Sequence, residues 1–302
     1  MAKTLITGAN GFIGKYIRRQ LASASEKAAD DIITLGLADN NHIKGDLTRA
    51  VPPLADYEFD TVYHLVGAIY DGDRRLLNVV ATNNLLTALE ARPPKNLVVF
   101  STTDIYGLTA GELIDETAPL NPATQFAMSK HAMEINAGKW AESHGVNLTI
   151  LRLPLVIGTG MTGEARRLLN RIYRGSYHHI AGNEARCSVI HAIDVARMAE
   201  TLAPAGGIFN LTDGVDPSRH DLAEAIAHRL SDKRIFTLSE KRARRWAFFN
   251  DFIPGTWLTR QNLKRELSTL TFNSSAARNA SAIQPINTVE YLLTHNYDND
   301  EF

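Results

Sequence analysis

The chain has 302 residues, of which 44% are hydrophobic and 22% charged, a composition that argues against a disordered or fibrous chain. Its 32 Lys and Arg residues against 33 Asp and Glu residues give a formal charge of −1, which excludes an overall cationic field for nucleic-acid binding. The single cysteine excludes an intramolecular disulfide, and no apolar run reaches the roughly 18–20 residues that a membrane helix needs.

The N-terminus enters a predicted strand almost at once, so we expect no signal peptide and a cytoplasmic location. Short β-rich runs then alternate with longer helical stretches, and this alternation predicts an α/β fold with a doubly wound parallel sheet. The predicted strands are 4–7, 32–37, 61–65, 96–101, 147–153 and 208–211, and the predicted helices are 12–23, 76–91, 126–144 and 192–202.

The composition and periodicity of the sequence change in two places. Residues 159–186 are rich in Arg, Gly and Tyr, and from 217 onward the signals are helical, most clearly at 220–230 and 260–270. We therefore predict a dinucleotide-binding domain over 1–155 and 187–212, and a smaller, discontinuous substrate lobe over 156–186 and 213–302. Ligands of doubly wound sheets bind at the carboxyl ends of the strands, where such a lobe could close over them.

Three glycines at three-residue spacing follow the first strand. Gly8 permits a tight turn, Gly11 lets the backbone approach a pyrophosphate, and Gly14 lets the following helix pack closely against the strand. The helix N-terminus then offers unpaired N–H groups to the phosphates. The residues predicted to hold a dinucleotide here are Gly8, Asn10, Gly11, Phe12, Ile13 and Gly14.

The second strand ends without the acid that fixes NAD. An acid about 20 residues beyond the loop would bind the adenosine ribose, but the strand ends in Leu-Gly-Leu-Ala, and Asp39 follows slightly late. Because no carboxylate is placed to repel a 2′-phosphate, the sequence favours NADP over NAD without excluding NAD.

Further motifs occur in a fixed order along the chain. They are GDL at 45–47, HLVGA at 64–68, NVVAT at 78–82, FSTTDIYG at 100–107, LRLPLVIG at 151–158 and IHAIDVA at 190–196. With the glycine loop, this series resembles the extended short-chain dehydrogenase/reductases of the NAD-dependent epimerase/dehydratase family, which act on nucleotide sugars. The resemblance implies a Rossmann domain, NAD or NADP as cofactor, and a homodimer formed through helices near 83–91 and 126–144.

The resemblance also assigns roles to single residues. Thr102 takes the position of the catalytic hydroxyl, Thr103 and Arg186 are expected to contact the substrate, and Asp46 is expected to contact adenine. Further cofactor contacts are implied for Leu47, Leu65, Gly67, Asn78, Lys130 and Pro154.

One position breaks the family pattern. The family has Tyr-x-x-x-Lys about two dozen residues after the catalytic hydroxyl, and this chain has Phe126 and Lys130. The lysine lowers the tyrosine pKa from its usual value of about 10, so that the phenol can move a proton near neutrality. Phenylalanine keeps the ring and lacks the titratable group, and losing a positioned proton donor costs on the order of 10²–10⁴ in rate.

Three explanations of Phe126 remain open. It is an introduced Tyr→Phe change, or the chain is a natural member that binds without reacting, or another group donates the proton. Candidates for that other group are Tyr70 and a water molecule held by Thr102.

The substrate signals are weaker. Arg186 precedes a predicted strand, where nucleotide-sugar enzymes place an arginine against the diphosphate, although a surface arginine is the alternative. Leu155 stands where many of these enzymes have Asn. The Thr-Thr-Asp at 102–104 lacks the acid pair of the dehydratases, so the sequence disfavours dehydration. We expect reduction of a nucleotide-linked keto sugar, with 4-epimerisation and a catalytically silent dinucleotide sensor as alternatives.

Two other features have plainer interpretations. The basic run at 241–245 lies beside several aromatic residues, and a solvated face flanked by lobe core is favoured over a membrane-surface or phosphate-binding helix. His178 and His179 are adjacent, and no metal-ligand spacing accompanies them, so no metal site is expected.

Overall fold

A computed structural model describes residues 3–24, 31–67, 76–253 and 255–295. The strands of the described chain are β1 Lys3–Thr7, β2 Ile32–Gly36, β3 Ile43–Lys44, β4 Phe59–His64, β5 Asn96–Thr102, β6 Gly111–Ile114, β7 Asn147–Leu153, β8 Leu155–Ile157, β9 His178–Ile180, β10 Val189–His191, β11 Gly207–Asn210, β12 Phe236–Leu238 and β13 Leu270–Phe272. The α-helices are α1 Phe12–Ala24, α2 Ala81–Leu89, α3 Gln125–His144, α4 Gly163–Tyr173, α5 Ala192–Leu202, α6 Arg219–Arg229, α7 Glu240–Asn250, α8 Arg260–Glu266, α9 Ser275–Ser281 and α10 Thr288–Thr294.

Seven strands form one parallel sheet in the order β11-β7-β5-β4-β1-β2-β3. The chain order reverses between β1 and β4, so the sheet has the switch point at which doubly wound folds bind their ligands. Most residues of the central strands are buried, as expected for a parallel sheet that is covered on both faces. This arrangement confirms the predicted α/β fold class.

Helices cover both faces of the sheet. On one face α1 and α5 pack together over a core that includes Ile17, Leu151 and Val195. On the other face α2 and α3 pack over a core that includes Leu85 and Met133. The sheet is therefore the middle layer of three.

A second group of elements packs beside this sandwich. α4 and α6 share a core with β8 and β10, and α7 and α8 form a smaller cluster with β9 and β12. α9 instead contributes Ala277 to the core beneath α1 and α5. Among the described residues, no helix has the length and apolar character needed to cross a membrane.

Two predicted helices differ from the structure. The stretch 76–91 begins with a π-helical turn, Leu76–Val80, before α2 starts at Ala81. The helix predicted over 260–270 is wrong at its C-terminal end. α8 ends at Glu266, and Leu270 begins β13, which pairs with β6. That pairing joins residues about 160 positions apart, and a local helical pattern contains no information about it.

Candidate active site

The glycine loop joins β1 to α1 at the switch point of the sheet. Gly8 has a φ of +73°, a left-handed conformation that favours glycine, and a Cβ on Gly14 would lie 2.2 Å from the Gly8 carbonyl oxygen. Gly11 is exposed, so its backbone can be approached from outside the protein. The first turn of α1 contains no acidic residue, which leaves its N–H groups and partial positive charge for an anion.

The glycine loop contacts the turn after β2 through Asn10. Asn10 donates a hydrogen bond from Nδ2 to Oδ1 of Asn40 at 2.8 Å. Asp39 is exposed and pairs with Lys44 at 2.6 Å. Asp46 accepts hydrogen bonds from the backbone and hydroxyl of Thr48, which lower the pKa of its carboxyl group.

Buried hydrogen bonds connect the first strands to the helix behind them. The Thr82 hydroxyl donates to the Asn78 carbonyl oxygen at 2.6 Å and so accepts from Nε2 of His64 at 2.8 Å. Nδ1 of His64 then accepts from the Thr7 hydroxyl at 2.8 Å. Burial lowers the His64 pKa to about 3, so this imidazole is neutral and serves as a structural link.

Thr102 ends β5 at the carboxyl edge of the sheet. Its Oγ1 accepts a hydrogen bond from the backbone N–H of Asp104 at 3.2 Å, which caps the 3₁₀ turn Thr103–Tyr106. The structure shows no acceptor for the Thr102 hydroxyl proton among the described residues. This hydroxyl can therefore donate to an oxygen of a bound substrate.

Phe126 and Lys130 lie one turn apart at the start of α3. Thr124 caps this helix by accepting from the backbone N–H of Ala127 at 3.1 Å. Ser129 donates to the Phe126 carbonyl oxygen and accepts from Nδ2 of Asn78, each at 2.8 Å. The structure therefore joins the α3 start to Asn78, a contact that the sequence did not indicate. Tyr70 and Ala68 lie outside the described residues.

The Lys130 ammonium group is buried in the cleft. Its Nζ donates to the Phe100 carbonyl oxygen at 2.7 Å. A Cβ on Gly67 would lie 3.0 Å from this Nζ and 2.7 Å from Oδ1 of Asn78, so both polar atoms converge on Gly67. Burial lowers the Lys130 pKa to about 8, against an opposing effect of the Glu134 carboxylate.

A buried ion pair fixes α3 against the sheet, and no sequence pattern indicated it. Arg152 on β7 binds both carboxylate oxygens of Glu134, at 2.9 and 3.3 Å, and donates to the Tyr106 hydroxyl at 3.0 Å. The Tyr106 hydroxyl then donates to Oδ1 of Asn210 at 2.9 Å. Because these groups come from α3, β7, the 3₁₀ turn and β11, the network sets the position of Lys130 relative to Thr102.

A cavity of about 90 Å³ lies between α4, α6 and α8. Leu155, Trp257 and Arg265 are among its lining residues, together with Arg171 and Arg219. The buried Nε atoms of Arg171 and Arg219 have no hydrogen-bond partner among the described residues. A buried guanidinium N–H without an acceptor is costly, and an anionic oxygen in the cavity would satisfy it.

Charged residues that line the cavity act on the turn after β5. Asp104 is exposed to the cleft, yet the surrounding protein removes enough water from its carboxyl group to raise its pKa. Arg265 and Glu164, which line the cavity, are among the charges that act on Asp104. The cavity therefore lies within electrostatic reach of the turn that follows Thr102.

Two residues predicted to contact the substrate have their polar groups engaged elsewhere. Arg186 donates to the carbonyl oxygens of Asp216 and Val215 at 2.6 and 2.5 Å. Its neighbour Cys187 lines the cavity, and alternation along extended backbone directs the Arg186 side chain away from it. Thr103 is buried and donates to the Leu153 carbonyl oxygen at 3.5 Å. Substrate contact by either residue stays a prediction.

The structure also assembles a group that sequence spacing did not indicate. The ligand atoms of His179, His220 and Glu224 lie within 4.8 Å of one another, and Nε2 of His179 is 2.8 Å from Oε1 of Glu224. His220 and Glu224 are one turn apart on α6, whereas His179 comes from β9. The absence of a metal-ligand pattern near His178 and His179 was therefore not informative about this cluster.

Comparison with known proteins identifies the family. A model of the NAD dependent epimerase/dehydratase family matches residues 4–211. The chain belongs to this family. It is therefore an NAD(P)-dependent enzyme of the extended short-chain dehydrogenase/reductase type, as the order of its motifs predicted.

Curated members of this epimerase/dehydratase family are similar at low identity. GDP-6-deoxy-D-talose 4-dehydrogenase of Aggregatibacter actinomycetemcomitans is 29% identical over 52% of this chain and only 54% of that protein. GDP-6-deoxy-D-mannose reductase of Pseudomonas aeruginosa is 27% identical over 74% of this chain and 79% of that protein. UDP-glucose 4-epimerase of Mycolicibacterium smegmatis is 26% identical over 80% of this chain and 91% of that protein.

The fold of the family is also seen in solved structures. UDP-glucose 4-epimerase of Thermotoga maritima superposes with a TM-score of 0.73 at 16% identity, over 96% of each chain. At this identity the similarity concerns the fold, which it confirms.

The residues of the cleft fit the family's dinucleotide cofactor. Gly11, between the close contact of Gly8 and Gly14, is exposed and leaves backbone for the pyrophosphate. The unpaired Oδ1 of Asn78 suits a ribose hydroxyl, as does the one N–H group of Lys130 that donates neither to the Phe100 carbonyl oxygen nor to Met133 Sδ. When bound, the cofactor supplies or accepts a hydride. The individual contacts predicted for Phe12, Ile13, Leu47, Leu65 and Pro154 stay predictions.

Proposed function

We propose that this chain binds a diphosphate-linked keto sugar beside NADPH or NADH, in a site arranged for reduction of the keto group. The observation that carries this proposal is the convergence of Thr102 and the α3 start, with Lys130, on the carboxyl ends of the central strands. The reductase from Pseudomonas aeruginosa and the 4-dehydrogenase from Aggregatibacter actinomycetemcomitans are named for redox reactions on GDP-linked deoxysugars, which supports reduction.

The chain's own groups have separate tasks in this reaction. Thr102 donates a hydrogen bond to the keto oxygen and so polarises the carbonyl group, while keeping its own proton. Lys130 holds the cofactor ribose and adds positive charge near the developing alkoxide. A tyrosine at position 126 would deliver the final proton, but Phe126 has no hydroxyl group, so this step is impaired.

The test is restoration of the hydroxyl. We expect Phe126→Tyr to raise the rate of NADPH oxidation with an NDP-4-keto-6-deoxyhexose by about 10²–10⁴-fold. The matched control is Phe236→Tyr, which adds the same hydroxyl to an exposed residue of β12, away from Lys130 and Thr102. An unchanged rate in the Phe126→Tyr enzyme, with substrate and cofactor both bound, would refute the proton-transfer role of position 126.

We also propose that Arg219 and Arg171, rather than Arg186, bind the diphosphate. The two unpaired Nε atoms at the cavity support this, because phosphate oxygens would accept from both. Titration with UDP and GDP separates the alternatives. We expect Arg219→Gln to weaken binding at least about tenfold and Arg186→Gln to have a smaller effect. The reverse order would restore the assignment made from the motif.

Two alternatives remain within this proposal. The relative from Mycolicibacterium smegmatis is named a UDP-glucose 4-epimerase, and an epimerase would interconvert 4-epimers without net use of cofactor. A silent sensor would bind cofactor and nucleotide but would gain no activity from Phe126→Tyr.

We retain the homodimer through α2 and α3 as part of the proposal. Met128 and Ile135 are exposed apolar residues on α3, which suits a helical interface. Sedimentation velocity of the full chain tests this, and a monomer at micromolar concentration would contradict it.

A further inference from the structure

The C-terminal half of α7 and the residues after it expose large apolar side chains. The exposed fractions are 48% for Trp246, 48% for Phe248, 60% for Phe249, 73% for Phe252 and 54% for Ile253. The Phe248 ring lies 5.6 Å from that of Phe249 and 5.8 Å from that of Phe252. The sequence interpretation of these aromatic residues as lobe core is therefore wrong, because α7 packs through the small side chains of Ala243 and Ala247.

Basic residues occupy the preceding turns of the same helix. Lys241, Arg242 and Arg245 are exposed and form no ion pair with another described residue. Phe249 lies four positions after Arg245, which is about 6 Å along the helix axis. We call the exposed side chains of residues 241, 242, 245, 246, 248, 249, 252 and 253 the α7 surface.

A groove between α7 and α8 continues this surface. It has a volume of about 380 Å³ and is lined by Arg244, Arg260 and Lys264 over an apolar floor that includes Leu263. Arg244 pairs with Glu240 and Arg260 with Asp251, so among the described residues Lys264 is the lining cation that has no ion-pair partner. Arg260 also lies over the Phe248 ring, with its guanidinium carbon 5.4 Å from the ring centre. Positive charge and aromatic rings are thus brought together from two helices.

We propose that the α7 surface docks this protein on an anionic phospholipid membrane. Aromatic side chains favour the boundary between headgroups and acyl chains, and nearby Lys and Arg residues are attracted to anionic headgroups. The groove beside α8 would receive a lipid phosphate. Docking of this kind is peripheral and needs no membrane-spanning helix.

Vesicle co-sedimentation of the full chain tests the proposal without any substrate, so its outcome is independent of the proposed function. We expect binding to mixed phosphatidylcholine–phosphatidylglycerol vesicles at least about tenfold tighter than to pure phosphatidylcholine vesicles, and weaker binding as salt is added. No binding to the mixed vesicles at low salt would overturn the proposal.

Two sets of variants separate the contributions. Lys241→Gln/Arg242→Gln/Arg245→Gln should lose about 100-fold in affinity, since each basic residue near an anionic surface contributes about 1 kcal/mol. The control Arg92→Gln/Lys139→Gln/Arg174→Gln removes the same charge from other exposed positions and should bind as the unchanged protein does. Phe249→Ser/Phe252→Ser should also lose binding, whereas Leu108→Ser/Leu293→Ser, at exposed sites elsewhere, should not. Equal losses in a variant and its control would overturn the proposal.

The unchanged protein provides a measurement that does not depend on the folding of any variant. Trp246 is the most exposed of the three tryptophans, so lipids brominated near the headgroup should quench its fluorescence. A Trp246→Phe protein should lose that quenching. If the α7 surface instead joins two copies of the chain, Phe249→Ser/Phe252→Ser would dissociate a dimer in sedimentation velocity and vesicles would leave the fluorescence unchanged, which would reject membrane docking.

Discussion

Replacing Lys130 with Met should stabilise the folded protein while removing cofactor binding. Burial lowers the Lys130 pKa from 10.5 to about 8, so the folded state holds the charged ammonium group at a cost below pH 8. At about 1.4 kcal/mol per pH unit this cost is about 3 kcal/mol. Losing the hydrogen bond to the Phe100 carbonyl oxygen offsets about 1 kcal/mol, which leaves a net gain of about 2 kcal/mol.

The pH dependence gives this prediction its sign. A lowered lysine pKa means that the unfolded chain binds more protons than the folded chain between pH 8 and 10.5, so the stability of the unchanged protein rises across that interval. The advantage of Lys130→Met should therefore be constant below pH 8 and disappear by about pH 10.5.

Urea unfolding of both proteins at several pH values measures this difference, and titration with NADPH measures the loss of binding. Lys139→Met is the matched control, because Lys139 is exposed on the same helix and should change stability by less than about 0.5 kcal/mol. The reasoning is refuted if Lys130→Met is less stable than the unchanged protein at pH 7, or if its advantage persists at pH 10.5.

Three further predictions concern the groups around the cleft. Gly67→Ala should weaken NADPH binding at least about tenfold in a titration, because its methyl group would meet two polar atoms within 3.0 Å, whereas Gly138→Ala on α3 has open space and should only stabilise the fold by about 0.5–1 kcal/mol. Glu134→Gln should cost about 3–5 kcal/mol in urea unfolding by leaving Arg152 buried without its charge partner, and a variant with Met at both positions should recover most of this loss. The free energy of unfolding should fall as the pH falls from 6.5 towards 3, by up to about 1.4 kcal/mol per pH unit from His64, and equal slopes in His64→Gln and the unchanged protein would contradict this.

Local patterns were sufficient for the framework of the fold. The spacing of Gly8, Gly11 and Gly14 after a buried strand predicted the turn that the structure shows, because a left-handed residue and a close helix contact both need glycine. The i, i+4 relation of Phe126 and Lys130 likewise placed both residues on one edge of α3. These features depend on residues within about one helical turn of one another, so local sequence spacing is enough to predict them.

Outside such local patterns, the sequence did not predict the direction in which a side chain points. Arg186 stands at the motif position for a diphosphate contact, but its guanidinium group binds the carbonyl oxygens of residues 215 and 216. The aromatic residues after the basic run were expected in a core, but α7 is held by Ala243 and Ala247 and leaves them exposed. The direction of the Arg186 side chain depends on hydrogen-bond partners about 30 positions later in the chain. The exposure of the aromatic residues depends on which face of α7 packs against the protein.

The sequence by itself determined the α/β class, the dinucleotide loop, the family and the anomaly at Phe126. Each of these follows from short motifs, whose residues are close together along the chain. Only the tertiary structure decided which charges meet. The Glu134–Arg152 pair, the unpaired Arg219 at the cavity and the surface formed by α7 and α8 each depend on elements that pack together from separate parts of the chain. Burial then sets the energy of the first two, since the removal of water makes a charge costly when it is alone and a charged partner offsets that cost.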